Sequence, residues 1–156
     1  MDGRLVGRLK WGGINIEEVR GQGNTMTDNS KVLIVDDELD ICYLLSGMLK
    51  QRAFRTAFVN CLSEAVTALQ SETPSILFLD NHLPDGFGLD FIPYVKKNYP
   101  NVKVVMITAH DGAADRKQAY NGGVDLFIAK PLNRKMIFDA IDKLYSPGSA
   151  VYDVAS

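Results

Sequence analysis

The chain has 156 residues, 46% of them hydrophobic and 23% charged, with a formal net charge of -2, which gives room for one domain around one core. That balance gives no reason to expect nucleic-acid binding through a basic face, and no apolar run approaches the roughly 20 residues that span a bilayer. The basic N-terminus lacks the apolar stretch of a secretory signal, and Cys42 and Cys61 have neither metal-site spacing nor scaffold density, so both read as thiols of a cytoplasmic protein.

Residues 1–30 carry six glycines among scattered charges, with no persistent helical or strand period. Met26-Thr27-Asp28-Asn29-Ser30 resembles a native start, so residues 1–25 read as an added leader or over-called start, with a genuine disordered arm as the alternative. The first strand, Val32-Leu33-Ile34-Val35, stops at Asp36-Asp37. Ile41, Leu44, Leu45, Met48 and Leu49 then recur at helical spacing. A second strand covers residues 54–59, and Ala65, Val66 and Leu69 mark a second helix. Ile76-Leu77-Phe78-Leu79 stops at Asp80, followed by the loop Leu83-Pro84-Asp85-Gly86-Phe87-Gly88 and a helix carrying Leu89, Ile92 and Val95. The fourth strand, Val104-Val105-Met106-Ile107, stops at Thr108. A short polar helix over residues 112–121 ends at Gly122-Gly123. Leu126-Phe127-Ile128-Ala129 stops at Lys130-Pro131, and Met136, Ile137, Ala140, Ile141 and Leu144 mark the last helix. The tail, residues 147–156, opens on helix breakers. Short Val/Ile-rich runs alternating with helices imply a three-layer α/β sandwich with a parallel sheet and right-handed crossovers, filling residues 31–146.

In such a sheet all strand carboxyl ends share one edge, where ligands bind. Asp36, Asp37, Asp80, Thr108 and Lys130 therefore converge. Three carboxylates repel, and one lysine does not neutralise them. A hard divalent cation does, and Mg²⁺ takes one or two carboxylates with waters and phosphate oxygens. Asp37 and Asp80 are the expected direct ligands, with Asp36 acting directly or through water. A carboxylate held there can attack a phosphoryl group, and Lys130 and Thr108 would oppose charge on its oxygens. Asp80, alone on a central strand, is the expected nucleophile.

Asp36-Asp37-Glu38, the stretch Asp80-Asn81-His82-Leu83-Pro84-Asp85-Gly86-Phe87-Gly88, Thr108-Ala109 and Gly123-Val124-Asp125-Leu126-Phe127-Ile128-Ala129-Lys130-Pro131 resemble the receiver domain of two-component response regulators, the CheY-like superfamily. The resemblance covers roughly residues 30–146. It implies a flavodoxin-like (βα)5 fold with sheet order 2-1-3-4-5, and phosphoryl transfer to Asp80 from a sensor histidine kinase, a phosphotransfer protein or a small phosphodonor. It also implies Mg²⁺ held by Asp37, Asp80 and the His82 backbone carbonyl, and a cis Lys130-Pro131 bond that aims the lysine inward. The family further suggests a switch. Thr108 moves toward the phosphorylated Asp80, and Phe127, the aromatic three residues before the lysine, rotates into the space; a plain core aromatic is the alternative. Tyrosine is frequent there, and phenylalanine has no hydroxyl to report its position.

His82 and His110 lie two residues beyond the nucleophile and the threonine, and we expect their rings to flank the pocket mouth and tune hydrolytic attack. Asn81 has no evident part in the chemistry. The expected output or homodimer surface is the fourth helix, fifth strand and last helix, with no nucleic-acid contact and no membrane. The module is expected to catalyse only its own phosphorylation and dephosphorylation. Two rivals share some of these features: a haloacid-dehalogenase-like phosphatase, which normally needs an aspartate where His82 stands and a substrate cap, and a receiver-like binding module that is not phosphorylated.

Overall fold

The computed structural model describes residues 30–146 and, for the backbone alone, two strands before them, β1 (Val6–Trp11) and β2 (Ile14–Val19). These pair antiparallel, with Trp11 opposite Ile14 and Leu9 opposite Ile16. The expectation that residues 1–30 form no regular element is corrected over these strands. Leu9, Trp11, Ile14 and Ile16 alternate with polar residues about Gly12-Gly13, a hairpin pattern that the dense charge conceals. The rest of the leader and the tail after residue 146 lie outside the described residues.

Five strands form the central sheet: β3 (Lys31–Val35), β4 (Arg55–Val59), β5 (Ile76–Asp80), β8 (Lys103–Thr108) and β9 (Leu126–Ala129). All pair in parallel, in the order β4-β3-β5-β8-β9. Counted over these five alone, the order is the expected 2-1-3-4-5. Strand alternation divides the interior in two. Leu33, Val35, Leu77, Leu79, Val104 and Met106 face α2 (Leu62–Ser71), α3 (Gly88–Asn98) and Ala119 of α4 (Ala113–Asn121). Val32, Ile34, Ile76, Phe78, Val105 and Ile107 face α1 (Leu39–Lys50) and α5 (Arg134–Tyr145). The central strands are apolar between their polar end residues because both their faces are covered.

The polar α4 behaves as its composition demands, burying Ala119 alone of its own residues. Its C-terminal stop also lies where expected. Gly123 takes a left-handed φ of 102°, and Val124 N–H reaches back to the Ala119 carbonyl at 3.0 Å. The second strand begins one residue later than expected, at Arg55, because Ala53 turns the chain with a φ of 66°. The loop after Asp80 holds an unexpected two-stranded turn, β6 (His82–Leu83) with β7 (Gly86–Phe87). Gly88 then starts α3 against β5. A Cβ there would stand 2.1 Å from the Asp80 carbonyl oxygen, so only glycine permits this approach.

Candidate functional site

Strand order reverses about β3, which pairs in parallel with β4 on one side and β5 on the other. The crevice beyond the carboxyl ends of β3 and β5 is therefore the ligand position of this topology. Asp36 follows β3 and Asp80 closes β5, and both are buried. The amine of Lys130, just after β9, reaches across to them. Its Nζ lies 2.7 Å from Glu38 Oε1, 3.1 Å from Asp36 Oδ2 and 3.6 Å from Asp80 Oδ1. The Lys130-Pro131 bond is cis, as expected, and Lys130 N–H donates to the Thr108 carbonyl at 2.8 Å.

Carboxylate oxygens of Asp36, Glu38 and Asp80 lie within 4.8 Å of one another. Asp37, expected as a direct ligand, is exposed and outside this group, whereas Glu38, to which no role was assigned, is inside it. A one-residue step at the mouth of a loop turns the side chain to the other side, and residue order alone does not show which side faces in.

Burial dominates the electrostatics. It raises the Asp80 carboxyl from its ordinary 3.8 to about 7, with the Asp36 charge adding to the effect and Lys130 opposing it. Asp36 is raised for the same first reason, against the bond from Glu38 N–H (2.8 Å) and the charge of Lys130. For Lys130, burial disfavours the ammonium. The carboxylates of Glu38, Asp80 and Asp36 together outweigh burial, and the lysine is raised. Asp36 Oδ2 is a buried acceptor whose contact is the Lys130 ion pair at 3.1 Å, with no formed hydrogen bond. Three hard oxygen donors thus lie close enough together to share one cation, one of them with no formed hydrogen bond. That donor set fits Mg²⁺.

Thr108 is buried at the end of β8, adjacent to β5, and its hydroxyl oxygen accepts the His110 N–H at 3.1 Å. The structure also brings the two histidines together. Their rings meet edge to face with centroids 4.9 Å apart, and His82 makes a similar contact with Phe87 at 5.5 Å. Phe127 is fully buried, and the Arg116 guanidinium of α4 lies over its ring, 4.8 Å from the centroid.

Two residues matter to the site that sequence reasoning passed over. Buried Asn81 accepts the Leu89 N–H in the first turn of α3 at 3.0 Å, while its carbonyl takes the Gly88 N–H at 2.8 Å. It anchors the helix that follows Asp80. Asp85 bonds the Leu62 and Ser63 N–H groups at the start of α2, at 2.8 and 2.9 Å, and these bonds hold its carboxyl below the usual range. It caps a helix 23 residues away, tying the loop after Asp80 to α2. No local pattern announces such a cap.

The response regulator receiver domain model matches residues 32–142. The response regulator protein PilR of Pseudomonas aeruginosa is 37% identical over 103 residues, which are 66% of this chain and 23% of that protein. The phosphate regulon transcriptional regulatory protein PhoB of Escherichia coli is 32% identical over 107 residues, 67% of this chain and 47% of its own. The chain thus spans less than half the length of these relatives. Among solved structures, the receiver domain of NtrX from Brucella abortus superposes with a TM-score of 0.67 at 30% identity, covering 71% of this chain and 94% of that one. Sheet order, the acidic crevice and the match over residues 32–142 agree: the chain belongs to the response regulator receiver domain family.

Proposed function

We propose that Asp80 accepts a phosphoryl group from the phosphohistidine of a sensor histidine kinase or phosphotransfer protein, or from a small phosphodonor, and that the added charge switches an output surface. As a receiver domain, the chain is a phosphoryl-accepting signalling module. The observation that carries the residue assignment is the buried Asp80 carboxylate at the end of a central strand, facing the Lys130 ammonium.

An Asp80 oxygen attacks phosphorus in line. The O–P bond forms as the bond to the donor breaks, and the leaving group keeps that electron pair. Lys130 moves from the carboxylates toward the new phosphoryl oxygens, and the Thr108 hydroxyl donates to one of them. Asp36 and Asp80 would hold Mg²⁺ with Glu38 beside them, while Asp37, exposed here, and the His82 backbone carbonyl join the set as the family resemblance implies. When bound, Mg²⁺ supplies positive charge against the carboxylates and the phosphoryl oxygens. Phosphorylation adds a charge of about -1.5 to -2. Drawing Thr108 inward alters the space beside Phe127, whose ring is linked through Arg116 to α4. The signal would leave through α4, β9 and α5, to an effector or a second copy of the chain. The paired rings of His82 and His110 would slow or admit the hydrolytic water. An alanine pair at these positions that lost phosphate at the wild-type rate would remove that role.

No helix among the described residues is long and apolar enough to cross a membrane. We propose that the module acts in the cytoplasm, where sensor kinases present their phosphohistidines. We assign it no turnover of an external substrate beyond its own phosphorylation and dephosphorylation. Incubation with acetyl phosphate, read by intact mass, tests the reading. One labile adduct is expected with Mg²⁺, absent without it and absent from Asp80→Asn. An unmodified wild type with both acetyl phosphate and a competent kinase would overturn the reading, and repeated turnover of the donor would favour a phosphatase.

A further inference from the structure

The main-chain carbonyl of Asp36 is held by side chains from two other parts of the fold. Strands β3 and β4 run in register to Val35 opposite Val59, and the Asp36 N–H adds a last rung to the Val59 carbonyl at 3.1 Å. There β4 ends and the chain turns into α2. Asn60 supplies with its side chain what a further rung would have supplied, its Nδ2 donating to the Asp36 carbonyl at 2.8 Å. Buried Cys42 of α1 aims its thiol at the same oxygen from 3.3 Å. Asn60 is itself fixed, because its N–H donates to Glu64 in the first turn of α2 at 3.1 Å.

That oxygen belongs to the planar peptide joining Asp36 to Asp37. Its tilt sets where the Asp36 side chain leaves the backbone and where Asp37 begins. The Asp36 side chain is held at its far end by the Glu38 N–H on one oxygen and the Lys130 ion pair at 3.1 Å on the other, so the peptide tilt sets the end at which it leaves the backbone. We propose that Asn60 is a positioning residue for the acidic site, its carboxamide holding the Asp36–Asp37 peptide at the tilt at which Asp36 and Asp80 face one cation, with Cys42 as a second, weaker anchor. This rests on the reading of the site as a Mg²⁺ centre.

The test is calorimetric titration of Mg²⁺ into metal-free wild type and Asn60→Leu, which keeps the size of the side chain and removes its donor. Asn60→Ser serves as a second variant, with a hydroxyl too short to span the gap, should the leucine not fold. Loss of a neutral hydrogen bond that acts through position predicts a Mg²⁺ Kd raised by about three- to tenfold. The rate of labelling by acetyl phosphate at saturating Mg²⁺ should stay within about twofold of wild type, because Asp80, Lys130 and Thr108 are intact. An unchanged Kd in a folded variant would overturn the proposal, as would a lowered saturated rate with Kd unchanged. A wild type that bound no Mg²⁺ would instead overturn the reading of the site on which the proposal rests.

Discussion

Asp80→Asn should stabilise the metal-free protein at alkaline pH. In the fold the carboxyl is raised from 3.8 to about 7, chiefly by burial and then by Asp36, so between these values the native state holds a proton that the unfolded chain has released. Stability therefore falls as pH rises through that window and levels off above it. At about 1.4 kcal/mol per pH unit, ionising Asp80 costs the fold on the order of 4 kcal/mol by pH 8. The amide removes this cost while its oxygen still accepts the Asn81 N–H that Asp80 Oδ1 accepts at 2.8 Å. It gives up the longest of the three Lys130 contacts, at 3.6 Å. The net gain expected at pH 8 is about 2–4 kcal/mol, falling below about 1 kcal/mol at pH 4. Urea unfolding in a chelator at both pH values measures it. With a slope of about 1–3 kcal/mol per molar, the pH 8 midpoint should rise by roughly 1 M or more. Equal midpoints at pH 8, or the same gain at both pH values, would refute the argument. Saturating Mg²⁺ should then favour the wild type, since the variant lacks one of its charged oxygens.

Removing the cation should act in the opposite sense. Lys130→Met leaves Asp36, Glu38 and Asp80 facing one another without the ammonium that lies 2.7–3.6 Å from them, and should cost about 3 kcal/mol at pH 8 without metal; chelator-matched urea curves would show it, with Mg²⁺ recovering part of the loss. Gly88→Ala sets a methyl 2.1 Å from the Asp80 carbonyl oxygen and should destabilise by about 3 kcal/mol or more, or shift α3 and slow labelling of Asp80. Asn81→Ala removes the acceptor of the Leu89 N–H and should lower stability by about 1 kcal/mol in thermal unfolding, with the Mg²⁺ dependence of labelling preserved.

The strand ends were legible because they are local facts. A run such as Ile76-Leu77-Phe78-Leu79 has to be buried on both faces, and its polar terminus at Asp80 has to lie at the sheet edge. From four such runs and the strand near residues 54–59 the parallel sheet follows, and with it the meeting of Asp36, Asp80 and Lys130, with Thr108 at the same sheet edge. The hairpin β1–β2 was equally local, but its charged residues diluted an alternation too short to stand out. Other features exist only once distant segments meet. Lys130 finds Glu38 across 92 residues, and Asp85 caps α2 from 23 residues away. Asn60 reaches the Asp36 carbonyl only because β4 parts from β3 at that rung. Sequence therefore determined which residues lie at the edge, since burial of apolar runs is periodic along the chain. Tertiary structure decided which of them face inward, and that Glu38 rather than Asp37 contacts the lysine, because side-chain direction in a loop has no period and is set by whichever donor lies opposite.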